Sequence, residues 1–179
     1  MSESPSGPER NRNLWAPWRM EYIDSLGQED NGCFLCRHRD DPAADEKNLV
    51  LWRGRHTFAL LNRFPYTGGH SLVAPYAHVA EPAELDNAAM LEMFQMLRDL
   101  QKALAAAVHA QGFNIGINIG RCAGVGLPGH LHAHIVPRWA GDTNFMPVLG
   151  GSKVIPIRLE TLREQILKAS TELNLPRLT

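Results

Sequence analysis

The residues of this chain best equipped for chemistry are His130, His132 and His134, interleaved with Leu131, Ala133 and Ile135 and closed by Pro137. Such alternation predicts an extended strand, in which successive side chains point to opposite faces. All three imidazoles are then expected on one face and the three aliphatic residues on the other, against the core. The first and third attachment points should lie roughly 13 Å apart, so that the three rings line one groove. Aligned imidazoles can ligate a metal, shuttle protons, or let one ring act as a nucleophile while its neighbours bind substrate charge.

A second group of reactive side chains is Cys33-x-x-Cys36, a spacing found in metal sites and in redox pairs. With Cys122 the chain has three cysteines, which suit a metal site in a reducing compartment better than a disulfide framework. Cys122 itself is expected to be free. The remaining histidines, His38, His56 and His109, fit no pattern and read as surface residues.

These groups need a frame. Leu49–Trp52, Thr57–Asn62 and His70–Pro75 read as strands, with a Gly- and Pro-containing loop over Arg63–Gly69. Glu84 to Ala110 carries Leu85, Met90, Met93, Phe94, Leu97, Leu100, Leu104 and Val108 at helical spacing, which predicts one long amphipathic helix ended by Gly112. Phe113–Ile119 is a further strand, and a glycine-rich loop, Gly120–Gly129, leads into the histidines. A last amphipathic helix spans about Leu159 to Leu173. The expected fold is α+β: an antiparallel sheet of about five strands, one long helix and a C-terminal helix.

Residues 1–12 are polar and are expected to form a disordered tail, with a single domain over 13–179. The net charge of −1 argues against a nucleic-acid groove, and no apolar run reaches the length of a membrane span. The expected location is cytoplasmic. Trp15 and Trp18 are expected to cover a core edge or a subunit interface.

The run from His130 to Val136 resembles the signature of the histidine triad superfamily. Leu60-Leu61-Asn62-Arg63-Phe64-Pro65 followed by Gly69-His70-Ser71-Leu72-Val73-Ala74-Pro75 is similar to that family's second hallmark. The opening Trp15-Ala16-Pro17-Trp18 and the Asn144-Phe145-Met146 segment look most like bacterial diadenosine-tetraphosphate phosphorylase or hydrolase members.

The resemblance implies a nucleotidyl hydrolase or transferase in which His132 attacks the α-phosphorus and forms a nucleotidyl-histidine. It casts His134 and His70 as ligands of phosphate oxygens or the leaving group. A main-chain carbonyl near Gly129–His130 is expected to fix the His132 tautomer. Asn62 is implied as a ribose contact and Asn118 as a phosphate or ribose contact, although a strand-end Asn also suits a turn. Phe58 and Leu60 are candidates for the base pocket, or equally for the core. Where many relatives carry Gln followed by Ser or Thr, this chain has Val125-Gly126-Leu127-Pro128-Gly129, whose amides, Gly126 included, can still cradle phosphate.

By the same resemblance His78 and His130 complete a four-ligand zinc site with Cys33 and Cys36, a closed set that is structural in kind. The alternative for these thiols is a reduced, metal-free pair. No organic cofactor is implied; Mg²⁺ can accompany the substrate, and the implied assembly is a homodimer with the two sheets joined. Other readings are a nucleoside phosphoramidate hydrolase and a non-catalytic nucleotide sensor.

Overall fold

The structure, a computed structural model, describes residues 32–124, 127, 129–142, 155 and 157–178. The expected tail, Trp15, Trp18, Gly126 and the segment 144–146 lie outside these residues.

The described elements are α1 (Phe34–Asp40), β1 (Val50–Arg53), β2 (Thr57–Leu61), β3 (Ser71–Pro75), α2 (Asn87–Val108), β4 (Gly112–Ile117), β5 (Ala133–Arg138) and α3 (Leu159–Glu172). The five strands form one sheet in the order β1-β2-β3-β5-β4, with every neighbouring pair antiparallel. This is the expected α+β architecture. Strand alternation gives the sheet two apolar faces. Ala59, Leu61, Val73, Ala133 and Ile135 face α2 and α3 in the larger cluster. Phe58, Leu60, Leu72 and Ala74 face the opposite way and pack on Leu35 of α1. That second face is also the histidine face, because Leu72 is paired with His134.

Both ends of the long helix differ from expectation. The long helix starts at Asn87, not Glu84, because Pro82–Glu84 forms a separate 3₁₀ turn closed by the Glu84 carboxylate, which accepts from the amides of Ala80 and Glu81. Asp86 then caps α2 by accepting from the Ala89 amide at 2.7 Å. At the other end His109 takes the left-handed conformation, φ 51°, and stops the helix before Gly112 opens β4.

The segment after Cys33, expected to be a loop, contains α1. Its first turn is capped by Cys33 Sγ, which accepts from the Cys36 amide, and its last carbonyls, those of His38 and Arg39, accept from the Arg53 guanidinium. Arg53 is itself held by Asp45. Helix α1 thus forms through contacts with distant residues, not through a strong local pattern.

Candidate functional site

Gly129 has φ +102°, and the chain bends at His130, so regular pairing of β5 begins only at Ala133. The three imidazoles therefore do not share a single groove. His132 and His134 stay together, with ring centroids 5.0 Å apart, while His130 turns towards His78, also at 5.0 Å. The bend divides the predicted triad between two adjoining sites.

The first is a cluster of four donor atoms. His130 Nδ1 lies 3.1 Å from Cys33 Sγ, 3.5 Å from Cys36 Sγ and 3.3 Å from His78 Nδ1, and Cys36 Sγ lies 3.1 Å from His78 Nδ1. The four ligand atoms lie within 4.8 Å of one another, so the group is positioned to bind a metal ion. A tetrahedral zinc ion with ordinary Zn–S and Zn–N bonds needs donor separations of roughly 3.3–3.8 Å, close to what these side chains offer. The tautomer is also right. His130 Nε2–H donates to the Pro75 carbonyl at 2.9 Å, which leaves Nδ1 with its lone pair among the thiols.

The second site is built around His132, which is 6 % exposed. Its Nδ1–H donates to the main-chain oxygen of His130 at 2.8 Å, the kind of carbonyl the sequence pointed to. A carbonyl only accepts, so the neutral ring carries its lone pair on Nε2. Burial pushes the His132 pKa below the ordinary imidazole value, outweighing the opposing effect of that hydrogen bond. The ring is therefore an uncharged base at neutral pH.

His70 lies behind His134. It has no exposed surface, and its Nε2 is 3.0 Å from His134 Nδ1. Any effect of His70 on a substrate is thus transmitted through His134 and not made by direct contact. Asn62 joins the same network: its Oδ1 accepts from the Phe64 amide at 3.0 Å and its Nδ2 sits 3.3 Å from His70 Nδ1. An amide keeps a second lone pair and a second hydrogen for other partners.

Phe58 and Leu60 are 0 % and 2 % exposed, members of the smaller core cluster on the histidine face. Asn118 is half-buried one residue beyond β4 and lines a cavity of about 120 Å³ with Gly129 and His130. The guanidinium of Arg63 donates to the Lys47 carbonyl, and that of Arg138 to Asp142 and Asn114. Tyr66 was missed by the sequence reading. Its ring stacks on His70 at 4.5 Å, and its amide donates to His70 Nδ1 at 3.0 Å. An aromatic residue in a short Gly- and Pro-bounded loop beside His70 was the available signal.

Comparison with known proteins follows the same lines. The HIT domain model matches residues 28–141. The AP-4-A phosphorylase of Mycobacterium tuberculosis is 36% identical over 157 residues, which cover 85% of this chain and 80% of that protein. A bis(5'-nucleosyl)-tetraphosphatase (asymmetrical) of Schizosaccharomyces pombe is 33% identical over 93 residues, 52% of this chain and 50% of that one. Among solved structures, a hypothetical histidine triad nucleotide-binding protein from Sulfolobus tokodaii superposes with a TM-score of 0.66 at 26% identity, covering 79% of this chain and 94% of the other. The family match covers well over half of the chain, and the chain belongs to the HIT domain family.

Proposed function

We propose that this chain is a nucleotide hydrolase or phosphorylase that cleaves dinucleoside polyphosphates of the diadenosine-tetraphosphate type, or related nucleoside–phosphate conjugates, through a covalent intermediate on His132. The observation that carries this reading is the His132 tautomer: Nδ1–H is committed to the His130 carbonyl, so Nε2 is free to attack. The names of the relatives from Mycobacterium tuberculosis and Schizosaccharomyces pombe point to the same substrate class.

In the first step the Nε2 lone pair forms a bond to the α-phosphorus, and the bond from that phosphorus to the bridging oxygen breaks. His134 stands beside the reacting ring, and its N–H donates a hydrogen bond to the departing oxygen, which leaves as the polyphosphate anion. In the second step water or inorganic phosphate attacks and loses its proton to solvent, the phosphorus–nitrogen bond breaks, and His132 recovers its lone pair. Dividing one hard displacement into two lowers each barrier. Asn62 and Asn118 serve the ribose and phosphates, with Gly126 of the glycine-rich loop, and Leu60, backed by Phe58, forms the packed floor beneath the base. Mg²⁺ arrives, if at all, with the polyphosphate, and no organic cofactor is needed.

Cys33, Cys36, His78 and His130 would hold a structural zinc ion, whose chemistry is to cross-link α1 to the start of the catalytic segment. Reduced thiols fit a cytoplasmic setting. Strand β4 lies at the edge of the sheet and exposes Ile115, with Phe94 of α2 also exposed. These features support a homodimer in which two sheets join.

The test is product analysis with diadenosine tetraphosphate, with and without phosphate, beside His132→Ala. ATP and AMP under both conditions identify a hydrolase; ADP and ATP only with phosphate identify a phosphorylase. Full activity in His132→Ala overturns the mechanism, and absence of cleavage in the wild type overturns the substrate assignment and turns attention to phosphoramidates or to a sensor.

A further inference from the structure

The tautomer of His134 follows from a single main-chain donor. The Tyr66 amide donates to His70 Nδ1 at 3.0 Å, and a main-chain N–H can only donate. His70 Nδ1 must then bear the lone pair, and the proton of the neutral ring sits on Nε2. Nε2–H donates to His134 Nδ1 at 3.0 Å, so His134 in turn carries its proton on Nε2. Each assignment compels the next. Reversing any one of them would set two donors, or two lone pairs, head to head beside a fully buried ring.

The loop that carries Tyr66 is fastened at several points. Thr67 Oγ1–H donates to the Pro137 carbonyl at 3.0 Å, the His70 amide donates to the Thr67 carbonyl at 3.1 Å, and the Asn62 amide donates to the His70 carbonyl at 2.9 Å. Gly69, φ +86°, makes the turn that brings His70 back under the loop. The Tyr66 ring lies over His70 with centroids 4.5 Å apart and an interplanar angle of 29°, and it is within 24° of parallel to the His134 ring at 6.2 Å. Amide and ring thus act on His70 from the same residue, one setting its proton and the other its plane.

We propose that Tyr66 is a positioning residue that locks His70, and through it His134, in the tautomer that presents the His134 Nε2–H to the departing group. The proposal rests on the reading that His134 donates a hydrogen bond to the leaving oxygen. The relay runs through the Tyr66 amide and ring; Tyr66→Phe keeps both and should therefore preserve it, whereas Tyr66→Ala keeps the amide and removes the ring that holds the His70 plane.

Two measurements on the full chain test this. Two-bond ¹H–¹⁵N imidazole spectra read the tautomers directly, with no need for turnover. Wild type and Tyr66→Phe should both show protonated Nε2 on His70 and His134, and Tyr66→Ala should show a tautomer mixture at His134. Cleavage of adenosine 5'-aryl phosphates spanning a range of phenol acidities supplies the second readout. In Tyr66→Ala, kcat should fall about 10–100-fold for the most basic phenolates and hardly at all for the least basic, with KM unchanged. If Tyr66→Ala fails to fold, Tyr66→Leu retains the bulk without the aromatic face and should show the same steepened dependence.

A proton on Nδ1 of His70 or of His134 in the wild type overturns the proposal. So does an aryl-ester dependence in folded Tyr66→Ala or Tyr66→Leu that matches the wild type. Correct wild-type tautomers together with absence of cleavage of any nucleotide ester would instead sink the proposed function and leave the relay standing.

Discussion

The main-chain oxygen of His130 accepts the Nδ1–H of His132 at 2.8 Å, while the imidazole of His130 turns the other way and brings Nδ1 to 3.1 Å from Cys33 Sγ. One residue therefore serves both sites: its side chain belongs to the four-donor cluster and its carbonyl sets the tautomer of His132. Whatever displaces the ring of His130 also moves the group that fixes His132.

Removing a ligand should expose this link. Cys36→Ser is expected to lower bound zinc from about one ion per chain and to lower Tm by about 10 °C. The loss in kcat should exceed any change in KM, because the pocket for the base is left in place while the His132 carbonyl partner loosens. Elemental analysis beside thermal unfolding checks the prediction, and a variant that retains its metal would remove Cys36 from the ligand set.

Glu92 of α2 ties the β1–β2 turn to the helix: its carboxylate accepts from the amides of Arg55, His56 and Thr57 and from the Thr57 hydroxyl. Burial works to raise its pKa, but the hydrogen bonds from His56, Thr57 and Arg55 outweigh this and hold it below the usual carboxylate range. A carboxyl whose folded pKa is depressed stabilises fully above its unfolded value, and that contribution is lost as pH falls through the folded value. Glu92→Gln should therefore cost about 1–3 kcal/mol at pH 7. The gap between wild type and variant should close below about pH 4.3, the unfolded glutamate value. Urea titrations at several pH values measure it, and a gap that persists at acid pH would refute the assignment.

Gly69 is a point where the backbone itself is constrained. With φ +86°, an added Cβ would also lie 3.0 Å from Pro137 Cγ and 3.2 Å from Leu104 Cδ2. Gly69→Ala combines a left-handed alanine with overpacking, for an expected cost of about 2–4 kcal/mol. Since the same turn sets the Tyr66–His70 hydrogen bond, kcat should fall even at temperatures where the variant is fully folded.

What the sequence made legible follows the strength of each local pattern. Leu131, Ala133 and Ile135 alternate with histidines, so the core face of β5 could be read directly, and all three are buried. The stripe on α2 was equally plain except at Phe94, which is exposed. Helix α1 was not, because its cap is a cysteine and its C-terminal partner, Arg53, is 13 residues beyond its end at Asp40. The separation of His130 from His132 and His134 was hidden for a related reason. A period of two predicts one face, but Gly129 at positive φ bends the chain, and the competing attraction is a cluster of side chains up to 97 residues away. Tyr66 went unread because its relevant donor is a main-chain amide, which every residue but proline possesses.

The edge strand gives a prediction about assembly. Ile115 is 47% exposed in β4, where like strands can pair and extend the sheet. Ile115→Asp should shift the chain from dimer to monomer in light scattering, with little change in the stability of the monomer. Unaltered mass would remove β4 from the proposed interface.

Phe58 and Leu60 share a face of β2 but should separate in their effects. The Phe58 ring is stacked on Tyr76 at 5.6 Å with the Arg53 guanidinium 5.8 Å from its centroid, which fastens it into the smaller core cluster. Leu60 is paired with Leu72, which is paired in turn with His134, and this puts it one step nearer the reacting rings. Phe58→Ala should therefore cost about 3–5 kcal/mol and leave KM for nucleotide within about 2-fold of the wild type in the folded fraction. Leu60→Ala should also destabilise, by about 2–5 kcal/mol, but should raise KM about 10-fold as the floor beneath the base recedes. Equal effects of both variants on KM would place the base contact elsewhere, because only Leu60 pairs with the strand neighbour of His134.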